Sequence, residues 1–146
     1  MYTTRSSIEG SLDIISAPGK PLVFSRAHGQ EPVINNTITV AADAATTLTA
    51  AQLLGGIIEG PITAGRTYTT DTAANIDAAI DSPKIGDSFT VQVINTSGGA
   101  NTITLAAGSG VTLKGNAAVA QNKVSYLMFL RTANTPTWNM YTSVSA

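Results

Sequence analysis

Residues 86–105, GDSFTVQVINTSGGANTITL, carry the clearest strand pattern of the chain. Within it, Phe89, Val91 and Val93 alternate with polar residues. The same alternation resumes at Ile103, after a run of small and polar residues. Successive side chains of a β-strand point to opposite faces, so this pattern predicts two half-buried strands joined by a turn.

Similar short runs, bounded by turn residues, continue on both sides of this stretch. They cover residues 36–40, 57–58, 67–69, 111–113, 124–130 and 138–144. Several strands with a turn signal roughly every 8–12 residues are typical of sandwiches and barrels. We therefore predict an all-β fold over residues 35–146, a small β-barrel or jelly-roll-like domain with one or two short helices.

Two segments of this domain predict those helices. Thr49 and Gln52 have the spacing of a capping box, in which each side chain accepts a hydrogen bond from the other residue's backbone N–H. Residues 71–80 place Ile76 and Ile80 on one face of a second helix. A helix of about ten residues is not stable alone in water, so we expect it to pack on a sheet.

The alternation also predicts the core. The predicted core residues are Val91, Val93, Ile103, Leu105, Val111, Leu113, Val124, Tyr126, Met128, Leu130, Trp138 and Met140. Apolar residues make up 43% of the chain, but 21 of them are alanine, so this core is thin for the length. A thin core is consistent with stability that is shared between subunits.

Residues 1–34 differ from the rest, because glycine and proline interrupt them repeatedly. The apolar pieces between the interruptions, residues 12–15 and 22–24, are each long enough for one strand and too short for a helix. Pro18 and Pro21 lack the N–H that a sheet ladder needs. We predict an extended N-terminal arm that becomes ordered against a neighbouring subunit. The alternative is a strand packed on its own domain.

Charged side chains are only 12% of the chain, about half the usual share. Eight Lys and Arg residues against nine Asp and Glu are scattered singly and give a net charge of −1. Nucleic-acid binding needs a clustered cationic face, so we expect no nucleic-acid partner. No apolar run approaches the ~20 residues of a membrane span, so we expect no membrane partner. This composition favours an obligate assembly protein over a β protein with a threonine-rich solvent face.

Side chains that carry catalysis or bind metals are few. The chain has no cysteine and one histidine, which excludes thiolate and multi-histidine sites. That histidine, His28, lies in the interrupted arm, and no G-x-S-x-G motif accompanies it. Asp77 and Asp81 share one helix face, but the sequence has no EF-hand calcium loop. We predict no enzymatic activity, no catalytic residue, no metal, no cofactor and no small-molecule substrate.

A resemblance to known proteins rests on four stretches. They are residues 66–73, 86–105, 108–111 and 138–141, in which threonine, glycine, asparagine and alanine are frequent on short predicted strands. Over roughly residues 45–144 the chain resembles structural proteins of tailed bacteriophages, and among them the capsid decoration, or cement, proteins. Residues 1–34 lie outside this match.

The resemblance implies a β-barrel or jelly-roll-like homotrimer on the outer surface of the capsid in the virion. There it would bridge neighbouring capsomers of the major capsid protein and stabilise the shell. In that setting we expect the arm to contact coat protein or a neighbouring copy, with two arginines setting its register. The expected contact residues are Arg5, Leu12, Ile14, Leu22, Val23, Phe24 and Arg26.

Two alternatives stay open. A tail-fibre or other receptor-binding component of the virion would also be β-rich and trimeric, although the chain is short and lacks a long repeat or a coiled-coil heptad. A cellular carbohydrate-binding module would need an exposed aromatic platform. Trp138 and Tyr141 lie on opposite faces of their predicted strand, so one of them is available for such a platform.

Overall fold

The computed structural model of the chain describes residues 13–15, 23–25 and 36–145. The chain divides into two units, residues 1–35 and 36–146. In the first unit, Asp13–Ile15 (β1) pairs antiparallel with Val23–Ser25 (β2).

The second unit contains ten strands and two short helices. The strands are Thr37–Val40 (β3), Thr46–Leu48 (β4), Gly56–Gly60 (β5), Arg66–Thr70 (β6), Ser88–Asn95 (β7), Ile103–Ala106 (β8), Val111–Gly115 (β9), Ala118–Val119 (β10), Val124–Arg131 (β11) and Trp138–Val144 (β12). The helices are Ala50–Leu54 (α1) and Ala73–Ala78 (α2). Helix α1 connects β4 to β5, and α2 connects β6 to β7.

The strands form two sheets, and the chain alternates between them. The order is β3-β5-β7-β11-β12-β9 in the six-stranded sheet and β10-β8-β6-β4 in the four-stranded sheet. In the first sheet β3, β5 and β7 are parallel, and in the second β4, β6 and β8 are parallel. Residues 37–106 therefore wind through three coils, each giving one strand to each sheet. Strand β10 pairs antiparallel with β8, and β11 pairs antiparallel with both β7 and β12. Strand β9 pairs parallel with β12.

The predicted all-β barrel or jelly-roll-like fold is therefore wrong. The second unit has two mixed sheets, with parallel and antiparallel pairs, and helices in two of the connections. Alternation of polar and apolar residues shows which face of a strand is buried, but not the direction of the neighbouring strand. Parallel pairs need a crossover connection. Here the crossovers pass through strands of the opposite sheet, which a barrel of consecutive hairpins does not require.

The core lies between the sheets and continues under the helices. Its largest fully buried side chains are those of Trp138, Tyr68 and Phe129. Phe89 stacks on Phe129 with ring centroids 4.7 Å apart and meets Trp138 edge-on at 5.5 Å. Such aromatic pairs contribute about 0.5–1.5 kcal/mol beyond the area they bury.

Two glycines mark places where other groups approach the backbone closely. A Cβ on Gly60 of β5 would lie 2.5 Å from Cδ1 of Ile103 and 2.9 Å from Oη of Tyr68, both in the opposite sheet. A Cβ on Gly108 would overlap the carbonyl oxygen of Thr70. The first contact involves the ends of side chains, whereas the second involves backbone, which cannot move aside as easily.

Both predicted helices form. The capping box at the start of α1 is confirmed, because the Thr49 hydroxyl accepts from the Gln52 N–H at 3.3 Å and Oε1 of Gln52 accepts from the Thr49 N–H at 2.9 Å. Helix α2 begins after Thr72, whose hydroxyl accepts from the N–H of Asn75 at 3.2 Å. It is shorter than the predicted span of 71–80.

The predicted core is confirmed on most strands and wrong on β11. The confirmed residues, all buried, are Val91, Val93, Ile103, Leu105, Val111, Trp138 and Met140. On β11 the exposed fractions of Tyr126 and Met128 are 53% and 42%, whereas Leu127 and Phe129 are buried. The inward face of this strand also carries Ser125, which is buried and whose hydroxyl has no hydrogen-bond partner among the described residues.

This error has a physical reason. Residues 126–130 are apolar at every position, so their pattern does not specify which face is buried. The polar residues of β11, at positions 125 and 131, both face inward, and they favoured the opposite assignment. A shift of one residue moves every side chain of a strand to its other face.

Candidate interaction surface

The side of the six-stranded sheet that faces away from the core carries most of the exposed large apolar side chains. Residues 36–145 contain seven such side chains, and five of them belong to strands β3, β11 and β12 of this sheet. We define the outer face by the residues Ile38, Val40, Ile57, Ile94, Tyr126, Met128 and Tyr141. On β5, β7, β11 and β12 the residues that alternate with them are buried or half-buried.

Strand register places these side chains next to one another. Ile38 lies opposite Ile57, Ile57 opposite Gln92, and Gln92 opposite Tyr126. Neighbouring strands are about 4.8 Å apart, so this row runs about 14 Å across four strands. Side chains at such paired positions contact each other. The outer face is therefore a continuous surface and not a set of isolated exposed residues.

A groove of about 330 Å³ crosses the outer face. Its lining includes Tyr126, Met128 and Tyr141, together with the polar Gln92. Nδ2 of Asn139 donates to Oη of Tyr141 at 3.2 Å, which restrains that ring. The residues that line this groove include no charged side chain, so its chemistry suits apolar contact and neutral hydrogen bonds.

Charge on the outer face is confined to two strand positions. Glu59 is the outward residue near the end of β5, and Lys114 occupies the corresponding outward position on the edge strand β9. The other outward positions of the six described strands are apolar or carry neutral polar groups. Covering such a surface removes few charges from water, so it carries a small desolvation penalty.

A buried ion pair joins helix α2 to strand β11. Nη2 of Arg131 lies 2.7 Å from Oδ2 of Asp77, and the two side chains are 5% and 11% exposed. Nε1 of Trp138 donates to Oδ1 of Asp77 at 2.7 Å, and Nη2 of Arg131 also donates to the carbonyl of Asn134 at 3.0 Å.

The electrostatics of this pair indicate a structural role. The hydrogen bond from Arg131 lowers the pKa of Asp77; burial acts against it and the indole of Trp138 supports it. A general acid or base works best with a pKa near the working pH. Asp77 is therefore a poor proton-transfer group. Its hydrogen bonds with Arg131 and Trp138 instead connect α2 to strands β11 and β12.

A second, more exposed pair connects the segment after β3 to the start of β6. Nε of Arg66 lies 2.8 Å from Oδ1 of Asp43, and the N–H of Thr63 donates to the same oxygen at 3.1 Å. The hydrogen bond from Arg66, assisted by Thr63, lowers the pKa of Asp43 to about 2. Asp43 accepts hydrogen bonds from Thr63 and Arg66 and so connects the segment after β3 to the segment before β6, which is a structural role.

Within residues 13–15, 23–25 and 36–145, no three His, Asp or Glu side chains lie together in a way that could hold a metal ion. In that same part of the chain, no helix has both the length and the apolar character needed to cross a membrane.

The predicted contact residues of the arm fall mainly outside the described part of the chain. Ile14 lies in β1, where its backbone is paired with that of Phe24 in β2, and Val23 is the first residue of β2. Four of them, Arg5, Leu12, Leu22 and Arg26, lie outside the described residues, and so does His28. The contacts assigned to all seven arm residues stay predictions.

The sequence reasoning missed the outer face, because Tyr126 and Met128 were assigned to the core. One signal could have found it. Residues 126–130 are apolar on both faces of their strand, and a strand of this kind needs a covering layer on each side. In the second unit as described, β11 has the core on one side and the outer face on the other.

Comparisons with models of known protein families, with curated proteins and with solved structures find no match to this chain. The interpretation of the outer face therefore depends on its own geometry and chemistry.

Proposed function

We propose that this protein is a structural component of a virion, which decorates a bacteriophage capsid and stabilises it by bridging neighbouring coat-protein subunits. The observation that carries the proposal is the outer face, a wide, nearly uncharged apolar sheet surface on a chain of 146 residues. Six strands about 4.8 Å apart and about five residues long give it an area of about 500 Å². Apolar side chains occupy about half of its outward positions, and the largest apolar patch on a protein surface is often an interaction site.

The chemistry of the described residues supports assembly over catalysis. The two most polar clusters, around Asp77 and Asp43, have their carboxylates held by arginines and lowered pKa values. The groove on the outer face is lined by neutral side chains. Burying a neutral apolar surface against another protein is favourable without any covalent step.

The mechanism follows from interface physics. A shell under internal pressure fails where capsomers meet, and a protein that contacts two capsomers adds interface area at that place. A specific interface buries about 1,200–2,000 Å² in total. Several linked copies raise the effective affinity further. The resemblance implies a homotrimer with an N-terminal arm reaching coat protein, and both features stay predictions.

The copy number in purified particles tests this function. Virus particles are purified from the cells that produce the protein, and quantitative mass spectrometry measures its number of copies relative to that of the major capsid protein. Hundreds of copies, comparable to coat protein, are expected, because a decoration protein covers the whole shell. A handful of copies would place the chain in the tail or at a vertex, as the tail-fibre alternative requires. Absence from particles would overturn a virion function.

Shell stabilisation gives a second test with matched variants. Purified full-length protein is added to undecorated shells, and the temperature at which the shells open is measured. Tyr126→Ser, on the outer face, is expected to reduce the stabilisation. Ile85→Ser is the control, because Ile85 is 55% exposed but lies off the outer face. Equal stabilisation by both variants would show that the outer face is not involved.

A further inference from the structure

We propose that the outer face is a two-fold interface with a second copy of this chain, in which Glu59 of each copy pairs with Lys114 of the other. This inference concerns what covers the exposed apolar sheet. Under the proposed function, the outer face would then join two copies, and each copy would contact coat protein through another of its surfaces. The loss of shell stabilisation expected for Tyr126→Ser would then follow from loss of the dimer. It rests on the positions of the two charges relative to the exposed aromatic ring of Tyr126.

Glu59 lies on one side of Tyr126. In strand register Glu59 is opposite Ile94 of β7, and Ile94 is opposite Val124 of β11. Val124 is two residues before Tyr126 on the same strand. Glu59 is therefore two strands and two residues away from Tyr126, a distance of about 12 Å across a regular sheet.

Lys114 lies on the other side at the same distance. It is opposite Tyr141 of β12, and Tyr141 is opposite Met128 of β11. Met128 is two residues after Tyr126. Lys114 is therefore also two strands and two residues away, in the opposite direction along both the sheet and the strand. Tyr126 marks the midpoint between the two charges.

This arrangement is complementary to itself. Suppose that two outer faces pack together about a two-fold axis that passes through Tyr126. The axis lies in the plane of the interface and is perpendicular to the line from Glu59 to Lys114. Rotation about this axis exchanges the two charged positions. Each Glu59 then faces Lys114 of the second copy, and the interface contains this ion pair twice. Opposite charges at the edge of an interface set its register and exclude other arrangements.

The centre of the face also suits a second copy. The two Tyr126 rings meet beside the axis, and the same operation places Tyr141 above Ile57 of the second copy. Tyrosine and methionine are enriched in the centres of protein interfaces. Glu59 and Lys114 are the charged outward residues on the six strands described, so no like charges oppose each other.

The area is sufficient for a dimer. Two faces of about 500 Å² bury about 1,000 Å² in total, which is below the usual range for specific interfaces and near the least that such an interface needs. A homotrimer would instead need the outer face to contact a different surface of the next copy, because a three-fold ring has head-to-tail interfaces. The proposed two-fold pairing therefore differs from the trimer that the resemblance implies.

Charge reversal provides the test, with the full chain studied by analytical ultracentrifugation. The wild type is expected to sediment as a dimer of the 15.0 kDa chain. Glu59→Lys and Lys114→Glu each place like charges together, and each is expected to raise the dimer dissociation constant about tenfold or more. The double variant E59K/K114E restores the pair in reversed order and is expected to recover wild-type affinity.

Three outcomes would overturn the proposal. The first is a wild type that is monomeric or trimeric. The second is a pair of single variants that dimerise like the wild type. The third is a double variant that stays as weak as the singles. Ile85→Lys, off the outer face, is the matched control and is expected to leave the dimer unchanged, and circular dichroism of every variant checks that the fold is retained. Failure of capsid binding with an intact dimer would contradict only the proposed function.

Discussion

The indole N–H of Trp138 donates a hydrogen bond of 2.7 Å to Asp77, a residue 61 positions earlier in the chain. The same carboxylate accepts from Arg131 of β11. One acidic side chain of α2 thus holds two strands of the six-stranded sheet. Both donors are nearly completely buried, so water cannot replace the carboxylate as their acceptor.

Removal of that carboxylate is expected to destabilise the fold. In Asp77→Ala the buried indole N–H loses its acceptor and the guanidinium of Arg131 loses its carboxylate partner, keeping the carbonyl of Asn134, which is expected to lower the free energy of unfolding by about 2–3 kcal/mol. Urea denaturation measures the change. Asp81→Ala is the matched control, because Asp81 is exposed, and it is expected to stay within about 0.5 kcal/mol of the wild type. Equal effects of the two variants would contradict the structural role of Asp77.

Stability is expected to fall in acid. Hydrogen bonds from arginines lower the pKa of Asp77, and lower that of Asp43 to about 2. A carboxylate in the unfolded chain takes up its proton near pH 4, roughly its unperturbed pKa, before the folded chain does. The stabilisation is therefore complete above about pH 4 and is lost progressively as the pH falls through the lowered pKa values.

Urea titrations at a series of pH values between about 2 and 6 test this dependence, since that range brackets an unperturbed aspartate pKa. Asp77→Asn cannot titrate at this position, so its free energy of unfolding is expected to change less with pH than that of the wild type. The same pH dependence in both proteins would show that Asp77 has an ordinary pKa in the folded state.

The close backbone approach at Gly108 is expected to make this position intolerant of a side chain. In Gly108→Ala the new Cβ would overlap the backbone carbonyls of Thr70 and Asp71, and the expected loss is about 2 kcal/mol. Gly98→Ala serves as the control, because a Cβ there has nothing within 4 Å. Thermal unfolding of the two variants gives the comparison. A Gly108→Ala protein as stable as Gly98→Ala would mean that the backbone is farther away than described.

The orientation of β11 predicts a large loss of stability at one residue and a small change at the next. Leu127→Ala leaves a cavity in the core and is expected to reduce the free energy of unfolding by about 2–5 kcal/mol. Met128→Ala removes a side chain from the outer face and is expected to change it by less than about 1 kcal/mol at concentrations where the chain is monomeric. Chemical denaturation of dilute protein distinguishes them. A larger loss in Met128→Ala would restore the orientation predicted from the sequence.

Local patterns allowed most elements to be placed from the sequence. The helix start at Thr49 and Gln52 depends on groups three residues apart, and the structure contains both hydrogen bonds. The alternation around Val91 and Val93 is confirmed for the same reason, since a strand with one buried face repeats every two residues. These signals are read within a few neighbouring residues and need no knowledge of the rest of the chain.

The candidate surface was not predictable in the same way. Tyr126 and Leu127 are both apolar, and only the packing of β11 against β7 and β12 decides which of them faces the core. The midpoint position of Tyr126 between Glu59 and Lys114 depends on the order of five strands, and chain order does not reveal this order.

Local sequence patterns were enough to place most of the strands and both helices and to identify how the helices begin, although β4 and β10 were not predicted. Tertiary structure alone decided that neighbouring strands run parallel through alternating sheets, which face of β11 is buried, and that Asp77 meets Arg131 and Trp138. The two groups of features differ in how far apart in the chain the interacting residues are. Propensity, capping and alternation act between residues close in the chain, whereas strand direction, register and ion pairing depend on contacts between segments that the chain brings together only when it folds.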